Sequence, residues 1–448
     1  MNKILNRFFD DISPIFMIGV LLVSSFVVAQ DNDDDVEEIV VKGNVLYSDQ
    51  VNALKTPVPI MDVPQTVSIV TDEDIRKQGL REIGDIVRYT PGVNTSQGEG
   101  HRDAVVFRGV RSTADFFQDG NRDDVQYYRS LYNVEQVEIL RGPNALLFGR
   151  GGTGGVINRV SKKAALGETF GAVDFGLDSF GANDIAVDYN TGTGDSTAVR
   201  MMIHSDALEN HRDHYDGRRL GFNPTVKIQM NDTTTLDISY EHADHERYID
   251  RGVPTENGEP VERFEKITFG GNENLTTLKA NILRATLSKQ FSDTRKGNLS
   301  VVSSDFEKMY KNYYASGYTA GASVVTMDGY LDPTERENTI ISGSMVNEVG
   351  KHTLLVGAEL IDTTNNNHRY NTFWSTTSDD NEVFTITRPM NFTVNSAGVA
   401  TNNDFTADLK SKTKSDIDVT SIYIQDQIDV SDKLKLMVGG RHDSFDIT

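Results

Sequence analysis

From Glu168 to Thr448 apolar and polar side chains alternate, segment after segment. In Leu220–Met230 the apolar Leu220, Phe222, Val226, Ile228 and Met230 share one face, while Asn223, Thr225, Lys227 and Gln229 share the other. Leu236, Ile238 and Tyr240 oppose Thr235, Asp237, Ser239 and Glu241. Ile422, Ile424, Ile428 and Val430 oppose Ser421, Tyr423, Gln425 and Gln427. A strand repeats every two residues, so each segment has one apolar and one wet face. Eleven such segments are expected before the chain ends. Past the first hairpin their connections alternate in length. Asn231-Asp232, Glu348–Lys351 and Val430–Lys433 are short, whereas Leu208–Arg219, His245–Thr277, Tyr310–Glu335 and Tyr370–Ser415 are long. Short turns on one rim and long loops on the other are the plan of an outer-membrane β-barrel. A large soluble β-sandwich also alternates, but it does not account for the loop rhythm.

Composition removes other classes. The 448 residues carry a formal net charge of −22, which argues against a nucleic-acid partner because no basic surplus exists to displace counterions. Cysteine is absent, so there is no disulfide, catalytic thiol or Cys-ligated metal centre. A mean hydropathy of −0.41 excludes a helical-bundle membrane protein. A barrel passes this test, since alternate residues of its spanning strands face inward and are polar.

The chain opens as an export signal. Lys3 and Arg7 precede an almost wholly apolar run from Ile12 to Ala29, which ends abruptly at Asp31–Asp35. Val27 and Ala29 lie three and one residues before Gln30, as signal cleavage requires. Residues 1–29 are therefore expected to be a cleaved signal peptide, the alternative being a retained membrane anchor.

Residues 60–164 read differently, as a small mixed α/β domain. Val67–Val70 is a short strand, and Thr71 N-caps a helix whose first turn carries Asp72, Glu73 and Asp74. Gly79 stops that helix. A second helix, from Arg81 to Tyr89, has Ile83, Ile86 and Val87 as its apolar stripe and ends at Pro91-Gly92. Val105–Phe107 and Val137–Leu140 are further strands.

Five segments in this region carry a family resemblance. Asp62-Val-Pro-Gln-Thr-Val-Ser-Ile-Val-Thr71, Tyr89-Thr-Pro-Gly-Val93, Phe107-Arg-Gly109, Phe117-Gln-Asp-Gly120 and Val134-Glu-Gln-Val-Glu-Ile-Leu-Arg-Gly-Pro-Asn-Ala-Leu-Leu-Phe-Gly149, continuing to Gly154–Asn158, resemble the plug domain of TonB-dependent outer-membrane receptors in order and spacing. Tyr423–Gln427 and Gly439–Asp443 are similar to strand signatures of the same family. The wording Asp119–Asp123 and Tyr128-Arg129 is closest to siderophore receptors, of catecholate type. The expected fold is thus an antiparallel membrane β-barrel over 165–448 around an N-terminal α/β plug over 60–164, behind a periplasmic extension over 30–59.

The resemblance implies a transporter, not an enzyme, that imports ferric siderophores across the bacterial outer membrane without a cofactor of its own. Its partners would be TonB with the inner-membrane energising complex, the ferric siderophore and outer-membrane lipid. Glu37, Glu38, Ile39, Val40 and Val41 resemble the TonB box, whose extended backbone would add as a strand to TonB. By motif, Arg108 and Arg141 are the plug arginines that face barrel glutamates, and Glu359 is the candidate partner. Arg102, Arg111 and Arg122 would attract an anionic chelate, and Tyr313, Tyr314, Phe373 and Trp374 would stack on it. Family members have about 22 strands. Eleven cannot close a single-chain barrel of even type, so the sequence is expected to be an N-terminal portion of a longer protein.

Two patterns compete weakly. Gly149–Gly154 matches the dinucleotide fingerprint, but a strand-like run follows where a helix is needed, so its glycines are read as a tight turn. His211–His214 and His242–His245 lack a fixed third metal ligand, and no metal is expected. Other cargo (cobalamin, haem or a glycan) and a passive adhesin-like barrel stay open.

Overall fold

A computed structural model describes residues 52–56, 63–96, 98–431 and 433–448. The expected signal peptide and the Glu37–Val41 segment lie outside the described residues.

Among the described residues the first domain holds eight strands and three α-helices. The strands are β1 (Thr66–Thr71), β2 (Val93–Thr95), β3 (Val105–Phe107), β4 (Val110–Ser112), β5 (Phe116–Gln118), β6 (Asn121–Arg122), β7 (Val134–Arg141) and β8 (Gly155–Ser161). The helices are α1 (Asp72–Gln78), α2 (Ile83–Arg88) and α3 (Ala145–Phe148). One sheet runs in the order β1-β7-β8-β5-β6, and β2-β3-β4 form another. Thr71 caps α1 reciprocally with Asp74, and Gly79 ends it at φ 62. Ile83, Ile86 and Val87 pack with Val105, Phe107, Val137, Ile139 and Ile157 to make the domain core.

The second part is one long meander. Its strands are β9 (Thr169–Leu177), β10 (Asn183–Gly192), β11 (Thr197–Glu209), β12 (Asp216–Asn231) and β13 (Thr234–Tyr248), then, past a small hairpin of β14 (Thr255–Glu256) and β15 (Glu259–Pro260), β16 (Leu275–Ser292), β17 (Arg295–Thr319), β18 (Val324–Val349), β19 (His352–Trp374), β20 (Glu382–Thr385), β21 (Asn403–Ser431) and β22 (Leu434–Ile447). Apart from β14 and β15, which pair only with each other, the described strands form a twelve-stranded sheet, in which eleven pair antiparallel in chain order and β20 joins β18 off that path.

Burial in this sheet is inverted relative to a soluble sandwich. In β12 the polar Asn223 and Thr225 are 2 % and 4 % exposed, against 38 % for Leu220 and 59 % for Met230. In β21 Ser421 and Gln425 are 0 % and 2 % exposed, while Ile422 and Ile424 are 58 % and 50 %. The wet face points inward onto the α/β domain and the apolar face outward, which is the arrangement lipid requires. Polar groups of the domain meet this inner face from Lys162–Asp188 on β10 to the Leu147 carbonyl–Arg441 bond on β22. The sheet therefore wraps the domain.

The long loop expected at Tyr310–Glu335 is largely strand, and that at Tyr370–Ser415 is partly so. β17 and β18 stay paired from Tyr310↔Asp332 out to Thr319↔Val324, with one register shift between Ala315 and Gly317, and β21 already begins at Asn403. About 10 tilted residues suffice to cross the apolar layer. Beyond it a hairpin no longer needs an apolar face, so the ladder continues while the alternation fades.

Candidate functional site

The loop after β2 points at the rim that carries the long hairpins, and it carries Glu99, His101 and Arg102. Glu99 is held at φ 59. Its carboxylate is 2.9 Å from Arg102 Nη2, 3.7 Å from His101 Nε2 and 3.7 Å from Arg251 Nη2. Its carbonyl accepts from the Tyr310 hydroxyl at 2.9 Å. Lys308 Nζ on β17 donates to His101 Nδ1 at 2.7 Å, and the imidazole lies 3.9 Å from the Tyr310 ring. Burial pushes the His101 imidazole down to about 3, so it is neutral and can accept that bond. The neighbouring His101 imidazole, aided by the two arginines, holds the Glu99 carboxyl at about 2.

Around this tie stand Tyr310, Tyr314 and Tyr330, with ring centroids 5.3 Å apart for Tyr310–Tyr330 and 6.1 Å for Tyr314–Tyr330. Arg251 lies over the Tyr314 ring at 4.1 Å and Arg369 over Tyr330 at 4.0 Å. The Arg251 and Arg369 side chains stay 21 % and 42 % exposed. The result is a patch in which buried Tyr310 and Tyr330 and half-buried Tyr314 are covered by the partly exposed guanidinium groups of Arg251 and Arg369. Such a patch presents guanidinium groups toward the rim, where they can meet an anionic group.

Of the seven residues expected to meet ligand, the structure brings Arg102 and Tyr314 to this patch. Arg111 is exposed on β4. Arg122 spans the domain's own backbone, donating to the Phe148 carbonyl at 2.8 Å and to that of Arg150. Tyr313 and Trp374 are buried with Phe384, Phe392 and Phe405 in the core of the outer hairpins, beside half-buried Phe373. They differ from expectation because Tyr313 and Tyr314 project to opposite sides of β17, and only Tyr314 joins the patch. His101, Arg251, Lys308, Tyr310, Tyr330 and Arg369 escaped sequence reading, since they come together only through the sheet register.

The fastening between domain and wall also departs from expectation. Arg141 donates to Ser68 Oγ at 2.7 Å and to the Pro91 carbonyl, both inside the domain. Arg108 is exposed and left-handed, with φ 47. Neither meets Glu359, which faces inward but pairs with Arg441 of β22 at 3.2 Å. Arg441 then donates to the Leu147 carbonyl at 3.1 Å. Charged fasteners of both polarities join the domain to the wall, Arg81 pairing with Asp184 of β10. Glu82, at the start of α2, pairs with Arg247 of β13 and, at 3.4 Å, with Arg219 of β12. Burial alone would raise the Glu82 carboxyl, but the two guanidinium groups outweigh it and hold it below its ordinary value.

A second bridge starts in the domain interior. Arg129, fully buried over the Phe116 ring, bonds Asp103 at 3.3 Å and Asp123 at 2.8 Å. Asp123 accepts from Arg159, which also donates to Gln118 Oε1 at 2.8 Å. Arg284 of β16 donates to the same Gln118 oxygen at 2.7 Å and to Glu241 at 2.9 Å. Asp124 accepts from Arg336 of β18 at 2.6 Å. Gly149 lies against Arg441, where a Cβ would sit 2.8 Å from its Nη2, so that glycine serves a close approach to the wall.

An α/β domain wrapped by a polar-in, apolar-out meander matches two domain families end to end. The TonB-dependent Receptor Plug Domain covers residues 59–156, and the TonB dependent receptor-like β-barrel covers 174–448. This chain belongs to the TonB-dependent receptors. Members are outer-membrane β-barrel receptors, and the α/β domain is the plug. The catecholate siderophore receptor Fiu of Escherichia coli K12 is 29 % identical over 257 residues, 53 % of this chain and 32 % of Fiu. The siderophore receptor PiuA of Acinetobacter baumannii is 24 % identical over 440 residues, 90 % of this chain and 57 % of PiuA. The PiuA crystal structure superposes with a TM-score of 0.77 at 20 % identity, covering 89 % of this chain and 60 % of PiuA. The ferripyoverdine receptor of Pseudomonas aeruginosa gives 0.73 at 18 % identity, over 88 % of this chain and 53 % of that one. The chain spans 32 % and 57 % of the lengths of Fiu and PiuA.

Proposed function

We propose that the protein imports a ferric siderophore across the outer membrane, driven by TonB acting on Glu37–Val41. The aromatic and guanidinium patch over the plug apex carries this reading. A ferric chelate with phenolate or catecholate arms presents flat rings and net negative charge. Arg251 and Arg369, stacked on Tyr314 and Tyr330, offer flat guanidinium planes to the rings and charge to the oxygens. The relatives named for catecholate and other siderophores support the iron cargo.

The plug must then shift or loosen within the wall for cargo to pass, because its bridges at Glu82, Gln118, Asp124 and His101 tie it to several strands. Energy for that shift would arrive mechanically through the extended Glu37–Val41 segment, by strand addition to TonB. Loss of the gene under iron starvation should abolish growth on one member of a hydroxamate, catecholate and citrate panel. Unchanged growth across that panel would contradict the iron reading and favour cobalamin, haem or a glycan.

A further inference from the structure

We infer that Glu138 is a latch that holds the plug's leading segment, residues 52–55, against the middle of the plug sheet, and that this latch sets the load at which the plug begins to yield. The inference about load rests on the proposed pull from the N-terminal side; the latch itself rests on geometry alone.

Glu138 sits near the centre of β7 and is 0 % exposed. No described cation pairs with it. Five donors converge on its carboxylate instead. Oε1 accepts from Asn52 N at 2.6 Å, Asn52 Nδ2 at 3.1 Å and Gln136 Nε2 at 2.8 Å. Oε2 accepts from Ala53 N at 2.9 Å and Asn158 Nδ2 at 2.8 Å. Three of the five come from the leading segment. Asn158 cannot turn its amide to compensate for a lost acceptor, because its Oδ1 already accepts from Gly120 N at 2.9 Å.

The surroundings reinforce the hold. Ala53 and Leu54 are buried with Phe117, Leu140, Leu147 and Phe148 of the plug and with Val346, Leu355 and Tyr423 of the wall. Lys55 turns back at φ 59 and donates to the Tyr423 hydroxyl at 3.2 Å. Val346 and Leu355 lie close to the short turn between Val349 and His352, so this wedge sits toward the short-turn rim.

Topology gives the latch its consequence. β1 follows the leading segment in sequence and is the edge strand of the β1-β7-β8-β5-β6 sheet. An edge strand can be peeled bond by bond. The leading segment bypasses it and fastens to β7, which is flanked by β1 at Ile69 and β8 at Asn158. Tension on residue 52 therefore meets an interior strand first, and reaches the edge strand only after Glu138 has let go.

Glu138→Gln keeps the shape but leaves one acceptor oxygen for donors fixed on both sides, and aims an N–H at a donor. The test uses the full-length protein in its outer membrane, with amide hydrogen exchange over residues 52–55. Exchange there should quicken at least tenfold in Glu138→Gln, with β7 and β8 amides and siderophore binding unchanged. Glu135→Gln, on the same strand, is the control. Iron uptake is then titrated with a protonophore. The latch predicts that Glu138→Gln sustains uptake at protonophore concentrations at least twofold above those that stop the parent, an outcome that general loss of structure does not produce.

Unaltered exchange over 52–55 would overturn the latch. Faster exchange with unaltered protonophore sensitivity would overturn its role in setting the load. Should Glu138→Gln fail to fold, Asn52→Ala removes one donor and should move both readouts in the same direction by less. Parent uptake indifferent to the protonophore would reject the energised-import reading instead, and amide exchange would still decide whether Glu138 holds the segment.

Discussion

Glu82 of the plug and Arg247 of the wall form a buried ion pair across the boundary between the two domains, with the acid on the plug and the base on the wall. Arg219 flanks the pair and is itself neutralised by Asp206. Removing one member of a buried pair leaves an uncompensated charge, at a cost of about 3–5 kcal/mol. Glu82→Ala should therefore speed exchange of the α2 amides of Ile86 and Val87 while the wall stays folded. In a double-mutant cycle with Arg247→Ala the losses should not add. Additive losses would show that the pair carries no coupling.

The apical tie fixes a pH dependence. Folded His101 stays neutral down to about 3, against an ordinary 6.5, and the Glu99 carboxyl is held at about 2 against 4.5. Below the ordinary value of each group the unfolded chain binds the proton and the folded chain does not, so stability falls as pH falls. Of these two groups, His101 contributes between about pH 7 and about pH 5, and below the ordinary carboxyl value Glu99 adds loss of the same sign. Urea midpoints across that range should decline in the parent and decline less in His101→Gln.

Gly149 has φ +71 and leaves room for the Arg441 guanidinium, which is fixed by Glu359, Asp443 and the Leu147 carbonyl. Gly149→Ala combines left-handed strain with that crowding and should destabilise by about 1–3 kcal/mol. In an Arg441→Ala background the crowding is gone, and the added cost of Gly149→Ala should shrink. Equal cost in both backgrounds, by denaturant titration, would contradict the close approach.

At the patch, Arg251→Ala and Arg369→Ala should each weaken ferric-siderophore binding about tenfold, equivalent to about 1.4 kcal/mol. Binding should weaken further with added salt in the parent than in either variant. Trp374→Phe, inside the outer hairpin core, should leave affinity unchanged. Equilibrium binding to whole cells at low temperature measures all three.

Much of the fold was legible because its signals are local. The Thr71 cap, the Gly79 stop and the Ile83–Ile86–Val87 stripe lie within single turns, and the two-residue alternation survives along β12 and over Val419–Gln427 of β21. The lengths of β17 and β18 were hidden, because ladder bonds past the apolar layer leave no trace in side-chain polarity. The fastenings were hidden for another reason. Glu82 reads as an ordinary first-turn acid and Arg247 as a strand residue, and only the wrapping of the wall brings them together. Arg108 and Arg141 were assigned by motif, but Arg141 is consumed by Ser68 and Pro91 within the plug. The patch combines residues from the plug apex, β17, β18 and β19, with Arg251 from the segment after β13, so no local pattern announces it.

The most direct test of the central claim is radiolabelled iron uptake by cells carrying the full-length protein with Glu37–Val41 deleted. The account predicts unchanged surface binding of the ferric siderophore and uptake reduced to the level of cells lacking the gene. Uptake continuing at the parental rate after the deletion would contradict it.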